Sequence, residues 1–209
     1  MEGRERFTEP RPSTWTLVTK VNEKHRQLDE SDYETYKTPS SASALFVCQN
    51  VDNPSEEALM RIYMQLPYKG SEMDRPEERA EQASETLDSI AQSEFDALQR
   101  LTEKRCESTP TLLGYKKDKQ DEDGFVPGGY IFYLLMIRLP GIRLGHNIEM
   151  DALFWTLPDT TRDDIREAFK VAHTNLIDAG IYPMFTALKR PLWDEESKKM
   201  YYSFSRSSF

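Results

Sequence analysis

Cysteine and histidine have the widest chemical range of any side chains, and this chain holds few of either. The two cysteines, Cys48 and Cys106, form no Cys-x-x-Cys pair of the kind that binds zinc or exchanges disulfides. The three histidines, His25, His146 and His173, are far apart and share no metal-ligand spacing. The cysteines are therefore interpreted as residues in apolar or ordinary helical settings and the histidines as ordinary surface or helix residues, and no metal site is predicted.

Carboxylates are the next candidates, because clusters of them bind metals or transfer protons. Asp121-Glu122-Asp123-Gly124 offers oxygen ligands, but its spacing is not that of an EF-hand loop, so a solvated hairpin tip is predicted. The acidic clusters at Glu77–Glu85 and Asp159–Glu167 are typical of solvated helix faces. The motifs Gly-x-Ser-x-Gly, His-Glu-x-x-His and Gly-x-x-x-x-Gly-Lys-Ser/Thr are absent, which argues against the enzyme classes that carry them.

The charge balance limits the partners that the chain can bind. Lys and Arg number 27 against 36 Asp and Glu, and the formal net charge is −9 at pH 7. Nucleic acid is not an expected partner, because phosphate binding needs a basic face. No transmembrane segment is visible, so a membrane is not expected either. The charged N-terminus and the cysteine usage predict an intracellular protein, in the cytoplasm.

The longest uncharged apolar run organises the rest of the chain. It reads GGYIFYLLMIRLPGIRLG, from Gly128 to Gly145, and is rich in aromatic and β-branched residues. Its central part, Tyr130–Ile137, is far shorter than the roughly 20 residues that cross a bilayer as a helix. The run predicts a strand that is buried on both faces and ends in a tight exit at Arg138–Gly141, because proline cannot continue a strand.

The other patterns predict a chain that begins with strands, continues with one long helix and further strands, and ends with helices and a late hairpin. Met1–Pro12 is expected to be a flexible arm, and Asn22–Ala42 a loop or weak strand. The order of elements predicts an α+β fold with segregated parts. The predicted strands are Trp15–Val21, Ala44–Val51, Ala58–Leu66, Thr111–Tyr115 and a terminal hairpin within Leu192–Phe204, and the predicted helices are Arg75–Lys104, Ile148–Leu157 and Thr161–Ala179.

Several short sequence segments occur in an order that resembles that of a known family. They are ALFVC, ALMRIYMQLP, the block from EFDALQRLTEKRC to GFVPGGYI, LLMIRLPG and LWDEESKKMYY. Together they resemble a fungal protein-kinase-like family related to aminoglycoside and choline phosphotransferases, over roughly residues 40 to 204. The resemblance implies a kinase-like N-lobe, an antiparallel sheet with a long helix, followed by a truncated helical lobe. The implied domains are residues 1–40 as arm and first strand, 41–141 as N-lobe, and 142–209 as truncated C-lobe-like helices and terminal hairpin.

The resemblance also implies where a nucleotide cleft would lie. Arg61 stands at the position of the family's strand lysine, and Glu94 on the long helix would be its partner. We expect an Arg61–Glu94 ion pair that joins strand and helix, and the alternative is that both are ordinary surface charges. Met136, Ile137 and Arg138 would form the hinge whose backbone recognises adenine. A core strand that simply connects two lobes explains the same residues without a ligand and is preferred.

The phosphate cradle of such a cleft is missing from its expected place. A glycine-rich loop lets backbone N–H groups approach phosphate oxygens closely. There is no glycine between Gly3 and Gly70, so the first hairpin cannot supply that loop. Any cleft at Arg61 is therefore interpreted as vestigial.

The residues that phosphoryl transfer needs are also replaced. Tyr182 and Met184 stand where the family has the His and Asp of its His-x-Asp motif, and Lys189–Pro191 falls where Asn is expected. The terminal hairpin reads Tyr202–Ser205 where an Asp-Phe pair should bridge metal to phosphate. None of these side chains can serve as the catalytic base or bind magnesium as the reaction requires. The resemblance therefore implies a pseudokinase that binds or scaffolds, without phosphotransferase activity and without a cofactor.

Two other interpretations stay open. The chain could be an ATP- and magnesium-dependent phosphotransferase with atypical carboxylates, for which Asp178, Asp194 and Glu195 are the candidates. It could also be a fragment of a longer active protein, which would be poorly stable in isolation.

The truncated lobe is expected to leave apolar surface uncovered near the end of the chain. Trp193, Tyr201, Tyr202 and Phe204 are the candidate residues for an unknown protein partner or for self-association. The alternative is that the C-terminal tail folds back and covers them.

Overall fold

The structure, a computed structural model, describes residues 3–36, 38–145, 152–182, 188 and 190–203. It is an α+β fold, as the sequence predicted, and most of its regular structure is antiparallel sheet. No helix in the described part of the chain is both long and apolar enough to cross a membrane. The strands are β1 Arg4–Phe7, β2 Ser13–Arg26, β3 Ser40–Asn50, β4 Glu57–Leu66, β5 Leu112–Lys119, β6 Tyr130–Ile137, β7 Ile142–Arg143, β8 Pro191–Asp194 and β9 Lys199–Tyr202, and the α-helices are α1 Glu30–Tyr36, α2 Pro76–Ala80, α3 Ser89–Glu103 and α4 Asp159–Asp178.

The chain divides into two compact units. Unit 1 comprises Met1–Phe95 and Leu112–Ile137, and unit 2 comprises Asp96–Thr111 and Arg138–Phe209. Helix α3 therefore begins in unit 1 and ends in unit 2.

Unit 1 is a six-stranded antiparallel sheet with the strand order β1-β2-β3-β4-β6-β5. Strands β3 and β4 correspond to the predicted strands Ala44–Val51 and Ala58–Leu66, and they pair as a hairpin with Leu45 opposite Arg61. Strand β6 lies between β4 and β5, and its central residues 132–136 are buried on both faces as predicted. The two edge strands approach each other, because Pro10 forms a bridge with Gly114 and Lys116 pairs with Glu5 at 2.6 Å.

The prediction of a flexible arm over Met1–Pro12 is wrong, since residues 4–7 form strand β1. Phe7 is fully buried in the apolar cluster on one face of the sheet, and this burial offsets the cost of ordering the segment. The apolar face packed around Phe7 is made of Trp15, Cys48, Ala58, Met60, Tyr133 and Leu135.

The single helix predicted over Arg75–Lys104 is also wrong. The chain forms the short helix α2, then leaves helical structure over residues 81–88, and starts α3 at Ser89. Asp88 explains the restart, because its Oδ1 accepts hydrogen bonds from the backbone N–H groups of Ile90 and Ala91 and so caps the new helix.

The segment predicted as a loop or weak strand over Asn22–Ala42 contains more structure than expected. Strand β2 continues to Arg26, helix α1 follows, and β3 begins at Ser40. Helix α1 has no buried residue, and Tyr33 on it stacks on Tyr68 with ring centroids 5.8 Å apart.

Unit 2 combines helix α4 with the small sheet β7-β8-β9. The predicted helix Thr161–Ala179 is confirmed, although it starts at Asp159 with Pro158 as the N-cap. The predicted helix Ile148–Leu157 is a 3-10 turn over Leu153–Thr156, and its first residues lie outside the described ones. The predicted terminal hairpin is confirmed as β8 and β9.

The expected apolar surface at the end of the chain is not found at two of its four residues. Trp193 and Tyr202 are 1% and 3% exposed, Tyr201 is half-buried, and Phe204 lies outside the described residues. Trp193 and Tyr202 belong to the core of unit 2, which α4 covers, so the hairpin buries its own aromatic side chains. The other core residues of this cluster are Leu101, Leu144, Phe154, Ile165, Ala172, Leu176, Ala179 and Met200.

Candidate functional site

The ion pair predicted between Arg61 and Glu94 is present in unit 1. Arg61 lies in the middle of β4, and Glu94 lies on the part of α3 that belongs to unit 1. The Arg61 Nε and Glu94 Oε1 atoms are 3.0 Å apart. The residues are 3% and 8% exposed, so the alternative of two surface charges is wrong.

The position of Arg61 follows from the alternation of strand β4. One face of β4 carries Met60 into the apolar cluster, and the other carries Arg61, Tyr63 and Gln65, all of which are buried. Arg61 is paired with Leu134 of β6 and Tyr63 with Phe132, so the polar side chains lie beside a hydrophobic strand. A charge in such a place is stable only with a partner, and Glu94 supplies it.

Tyr63 is the third member of this cluster. Its hydroxyl donates a hydrogen bond of 2.6 Å to Glu94 Oε2. Burial and the negative charge of Glu94 raise the pKa of Tyr63 well above its ordinary value, so the hydroxyl stays protonated and acts as a donor. Sequence reasoning did not assign Tyr63 a role, although its spacing of two from Arg61 already placed both on one face of the strand.

The ion pair is close but is not an aligned hydrogen bond. Arg61 Nε and Glu94 Oε1 are both buried, and neither has a partner in hydrogen-bonding geometry among the described residues. The 3.0 Å separation therefore gives Coulomb attraction without the directional part of a charge-assisted hydrogen bond. The Arg61 side chain is only 4% exposed, which leaves a solvent ligand little access to it.

A second buried carboxylate fixes the start of the same helix. Asp88 is 1% exposed, and its Oδ2 accepts a hydrogen bond of 3.0 Å from the Tyr130 hydroxyl on β6. Burial and the charge of Asp88 raise the pKa of Tyr130. Asp88 and Glu94 thus attach α3 to neighbouring strands of the sheet at two points six residues apart.

Three buried glutamines hold the loops at one end of the sheet. Gln65 donates to the Gln82 carbonyl at 2.7 Å, and Gln120 donates to the Gln65 carbonyl at 2.9 Å. The Gln65 side-chain oxygen accepts from the backbone N–H of Ser84 at 2.9 Å, and a Cβ at Gly129 would lie 2.7 Å from that oxygen. This network is structural, and apart from the residue types nothing in the sequence predicts it.

The predicted hinge residues fall at the end of β6. Met136 is buried, Ile137 is exposed, and Arg138 is the first residue of the segment assigned to unit 2. Ile137 pairs with Ala58 of β4, as an ordinary strand end would. The connecting strand stays the preferred interpretation, and adenine recognition by these backbones stays the alternative.

The positions predicted to replace catalytic residues are only partly described. Tyr182 is exposed, Pro191 begins β8, and Met184 and Lys189 lie outside the described residues. Asp194 is the last residue of β8, and its two carboxylate oxygens accept hydrogen bonds from the turn that follows, from Ser197 Oγ at 2.6 Å and from the Glu196 N–H at 3.3 Å. Its position supports a turn-forming role.

No metal site emerges from the described residues, because no group of three or more His, Cys, Asp or Glu side chains there is arranged to hold an ion. The cluster of Arg61, Tyr63 and Glu94 is therefore the candidate functional site. Chemically it can hold α3 on the sheet through one cation, one carboxylate and one hydroxyl. Comparison with models of known protein families gave no match, and comparison with curated proteins gave no similar sequence.

Proposed function

We propose that this chain contains a kinase-like small lobe that works by binding another protein and transfers no phosphoryl group. Two features of unit 1 support the kinase-like part of the proposal. The sheet strands and α3 occur in the order that the resemblance implies, and Arg61 and Glu94 link the strand to the helix at 3.0 Å. Fold alone does not assign an activity, so the case for binding without catalysis rests on the chemistry at this lobe.

The observation that carries the proposal is the acidic helix α1 in the connection between β2 and β3. The resemblance implies a glycine-rich phosphate cradle in the first hairpin, and this connection lies within the stretch between Gly3 and Gly70 that has no glycine. The connection instead holds no glycine and carries four carboxylates, on Asp29, Glu30, Asp32 and Glu34. Two unit charges 4 Å apart interact with about 1 kcal/mol in water and about 4 kcal/mol near a protein surface, so these carboxylates oppose a polyphosphate.

The burial of Arg61 supports the same conclusion. A phosphate would have to displace Glu94 from a guanidinium that is almost fully enclosed. Removing either partner leaves the other charge buried and unpaired, which costs about 3–5 kcal/mol. The role that fits Arg61 is to fix α3 on the sheet and keep the shape of the lobe constant for a partner.

Asp194 offers little support for the alternative, an atypical phosphotransferase. Both of its carboxylate oxygens accept hydrogen bonds from groups in its own turn, Ser197 Oγ and the Glu196 N–H. Binding magnesium there would compete with these bonds.

The test is ATP turnover in the presence of magnesium, with small alcohols, aminoglycosides and a protein substrate as acceptors. Wild type and Asp194→Asn are compared with Asp52→Asn, a control that changes an exposed carboxylate in a turn of unit 1. We expect no ADP release above buffer for any of the three proteins. Magnesium-dependent turnover that is lost in Asp194→Asn and kept in Asp52→Asn would overturn the proposal in favour of the phosphotransferase.

A further inference from the structure

Three connections of unit 1 lie at one end of its sheet. Strand register places them together, because Arg26 pairs with Ser41, Ser40 with Leu66, and Lys119 with Tyr130. The connections are residues 27–39, 67–81 and 120–129, and we call them the loop end. These segments contain 12 Asp and Glu residues against 4 Lys and Arg residues, so most of the chain's net charge of −9 originates there.

Side-chain contacts join the three connections into one surface. Tyr33 of the first stacks on Tyr68 of the second, with ring centroids 5.8 Å apart. Gln27 also donates a hydrogen bond of 2.7 Å to Glu72 Oε1. The loop end is thus a packed surface whose members have fixed neighbours.

Arg79 joins the second connection to the third. Its Nε donates to the Asp74 carbonyl at 3.2 Å, and its Nη1 donates to the carbonyls of Gly124 at 3.2 Å and Phe125 at 2.7 Å. The backbones beside Met73 and at Phe125 therefore both lie within hydrogen-bonding distance of a single guanidinium.

The two loops that Arg79 joins carry large apolar side chains in solvent. Met73 is 96% exposed and Phe125 is 54% exposed. Methionine and aromatic residues are enriched in the centres of protein interfaces, where a few of them supply most of the binding energy. A partner that covered both side chains would remove apolar surface from water.

We propose that the loop end binds a basic, amphipathic segment of a partner protein, with Met73 and Phe125 as its apolar anchors. The surrounding carboxylates set the sign of the partner's charge and speed the encounter. A second copy of the chain fits poorly, because its own net charge is −9 and the two acidic ends would repel each other. Anionic ligands such as phosphates are disfavoured for the same reason.

This inference rests on the proposed binding function and names its surface and partner chemistry. The probe is a fluorescent peptide of about 18 residues in which leucine and lysine are patterned as an amphipathic helix. Binding is measured by fluorescence anisotropy at low salt and at about 150 mM salt. A peptide with the same leucine pattern and glutamate in place of lysine is the control for charge.

The apolar anchors are tested by Met73→Ser/Phe125→Ser. The matched control is Val18→Ser/Val21→Ser, which removes two exposed apolar side chains from β2 of the same unit. All four side chains are exposed, so the fold should survive each change. We expect the anchor variant to weaken binding of the lysine peptide about tenfold or more and the control to leave it unchanged.

The charge is tested by Asp121→Asn/Asp123→Asn, with Asp163→Asn/Asp164→Asn on α4 as the matched control. We expect weaker binding and a smaller salt dependence only for the first pair. Equal losses in both pairs, equal binding of the glutamate peptide, or an anchor variant that binds like wild type would each overturn the inference. ATP turnover by wild type would overturn the proposed function, whereas failure of the peptide test alone would remove only this surface.

Discussion

Removing the partners of the buried cluster one at a time should show what Arg61 and Glu94 contribute to stability. Glu94→Leu leaves a buried guanidinium unpaired and takes the acceptor away from the Tyr63 hydroxyl. We expect it to cost close to 5 kcal/mol, the upper part of the range of about 3–5 kcal/mol for a broken buried pair. Arg61→Met leaves Glu94 with the Tyr63 hydrogen bond, and the lost contact was not an aligned hydrogen bond, so we expect a cost near the lower limit of about 3 kcal/mol.

The double variant Arg61→Met/Glu94→Leu should be more stable than either single one. Only the Tyr63 hydroxyl is then left without its partner, which costs about 1–3 kcal/mol. Adding Tyr63→Phe removes that hydroxyl, and the triple variant should approach wild-type stability because a hydrophobic replacement of a buried ion pair is often neutral. The expected order of destabilisation is Glu94→Leu, Arg61→Met, the double variant and the triple variant.

The assay is hydrogen exchange of the backbone amides of β4 and β6, combined with urea unfolding followed by circular dichroism. Exchange is needed because a chain with two compact units need not unfold in one step. Arg75→Met is the control, since the Arg75 side chain is exposed and pairs with Glu78 on the surface. The reasoning is refuted if Arg61→Met changes stability no more than Arg75→Met, for which a change within about 0.5 kcal/mol is expected.

Three further predictions concern single residues. Burial raises the pKa of Cys48 to about 12, so the thiol stays protonated in the folded chain at pH values where it ionises in the unfolded chain. The free energy of unfolding should therefore fall by up to about 1.4 kcal/mol per pH unit between about pH 8.5 and 12. Urea unfolding at pH 8 and 10 should show this fall in wild type and a smaller one in Cys48→Ala. Gly180 has φ +76 and an added Cβ there would collide with Arg100, whereas Gly70 has φ +98 with open space around it. Gly70→Ala should cost about 1–2 kcal/mol of stability. Thermal unfolding should show a larger loss of stability for Gly180→Ala. Gln65→Leu leaves the buried Gln82 carbonyl and the part-buried Ser84 N–H, both in the segment after α2, without their side-chain partner. Urea unfolding should show a loss of about 2 kcal/mol or more, and a loss below about 0.5 kcal/mol would contradict the network.

The parts of the fold that the sequence predicted are those where one pattern dominates locally. The β3–β4 hairpin alternates cleanly around turn residues, β6 is a short continuous apolar run, and α4 has a stripe at helical spacing. In each of these segments the period of the apolar residues matches the element, so local propensity and burial agree.

The predictions from sequence were wrong where contacts between residues distant in the chain determine the structure. Strand β1 looks polar in sequence and forms because a single residue, Phe7, is buried in a cluster assembled from distant strands. The helix predicted over Arg75–Lys104 is interrupted because Asp88 caps α3 and Gln82 bonds to the Tyr68 N–H, so the helix-like composition of residues 81–88 is overridden.

At the candidate site, too, some features were predicted from the sequence and others are visible only in the structure. The resemblance suggested the Arg61–Glu94 pair, and strand alternation put Tyr63 on the same face, but only the structure shows that its hydroxyl binds Glu94. The acidic character of α1 is visible in the sequence, whereas its place beside the other two acidic connections depends on strand register.

The measurement that tests the central claim most directly is a thermal-shift titration of the wild-type chain with ATP, with and without magnesium. Nucleotide at 100 times its dissociation constant would stabilise the folded state by about 2.7 kcal/mol. For a chain of this size each kcal/mol raises the midpoint by about 2–4 °C, so a retained nucleotide cleft would give a rise of about 5–10 °C. If the lobe only binds proteins, ATP should leave the thermal midpoint unchanged both with and without magnesium. A magnesium-dependent rise of that size would contradict the proposed function.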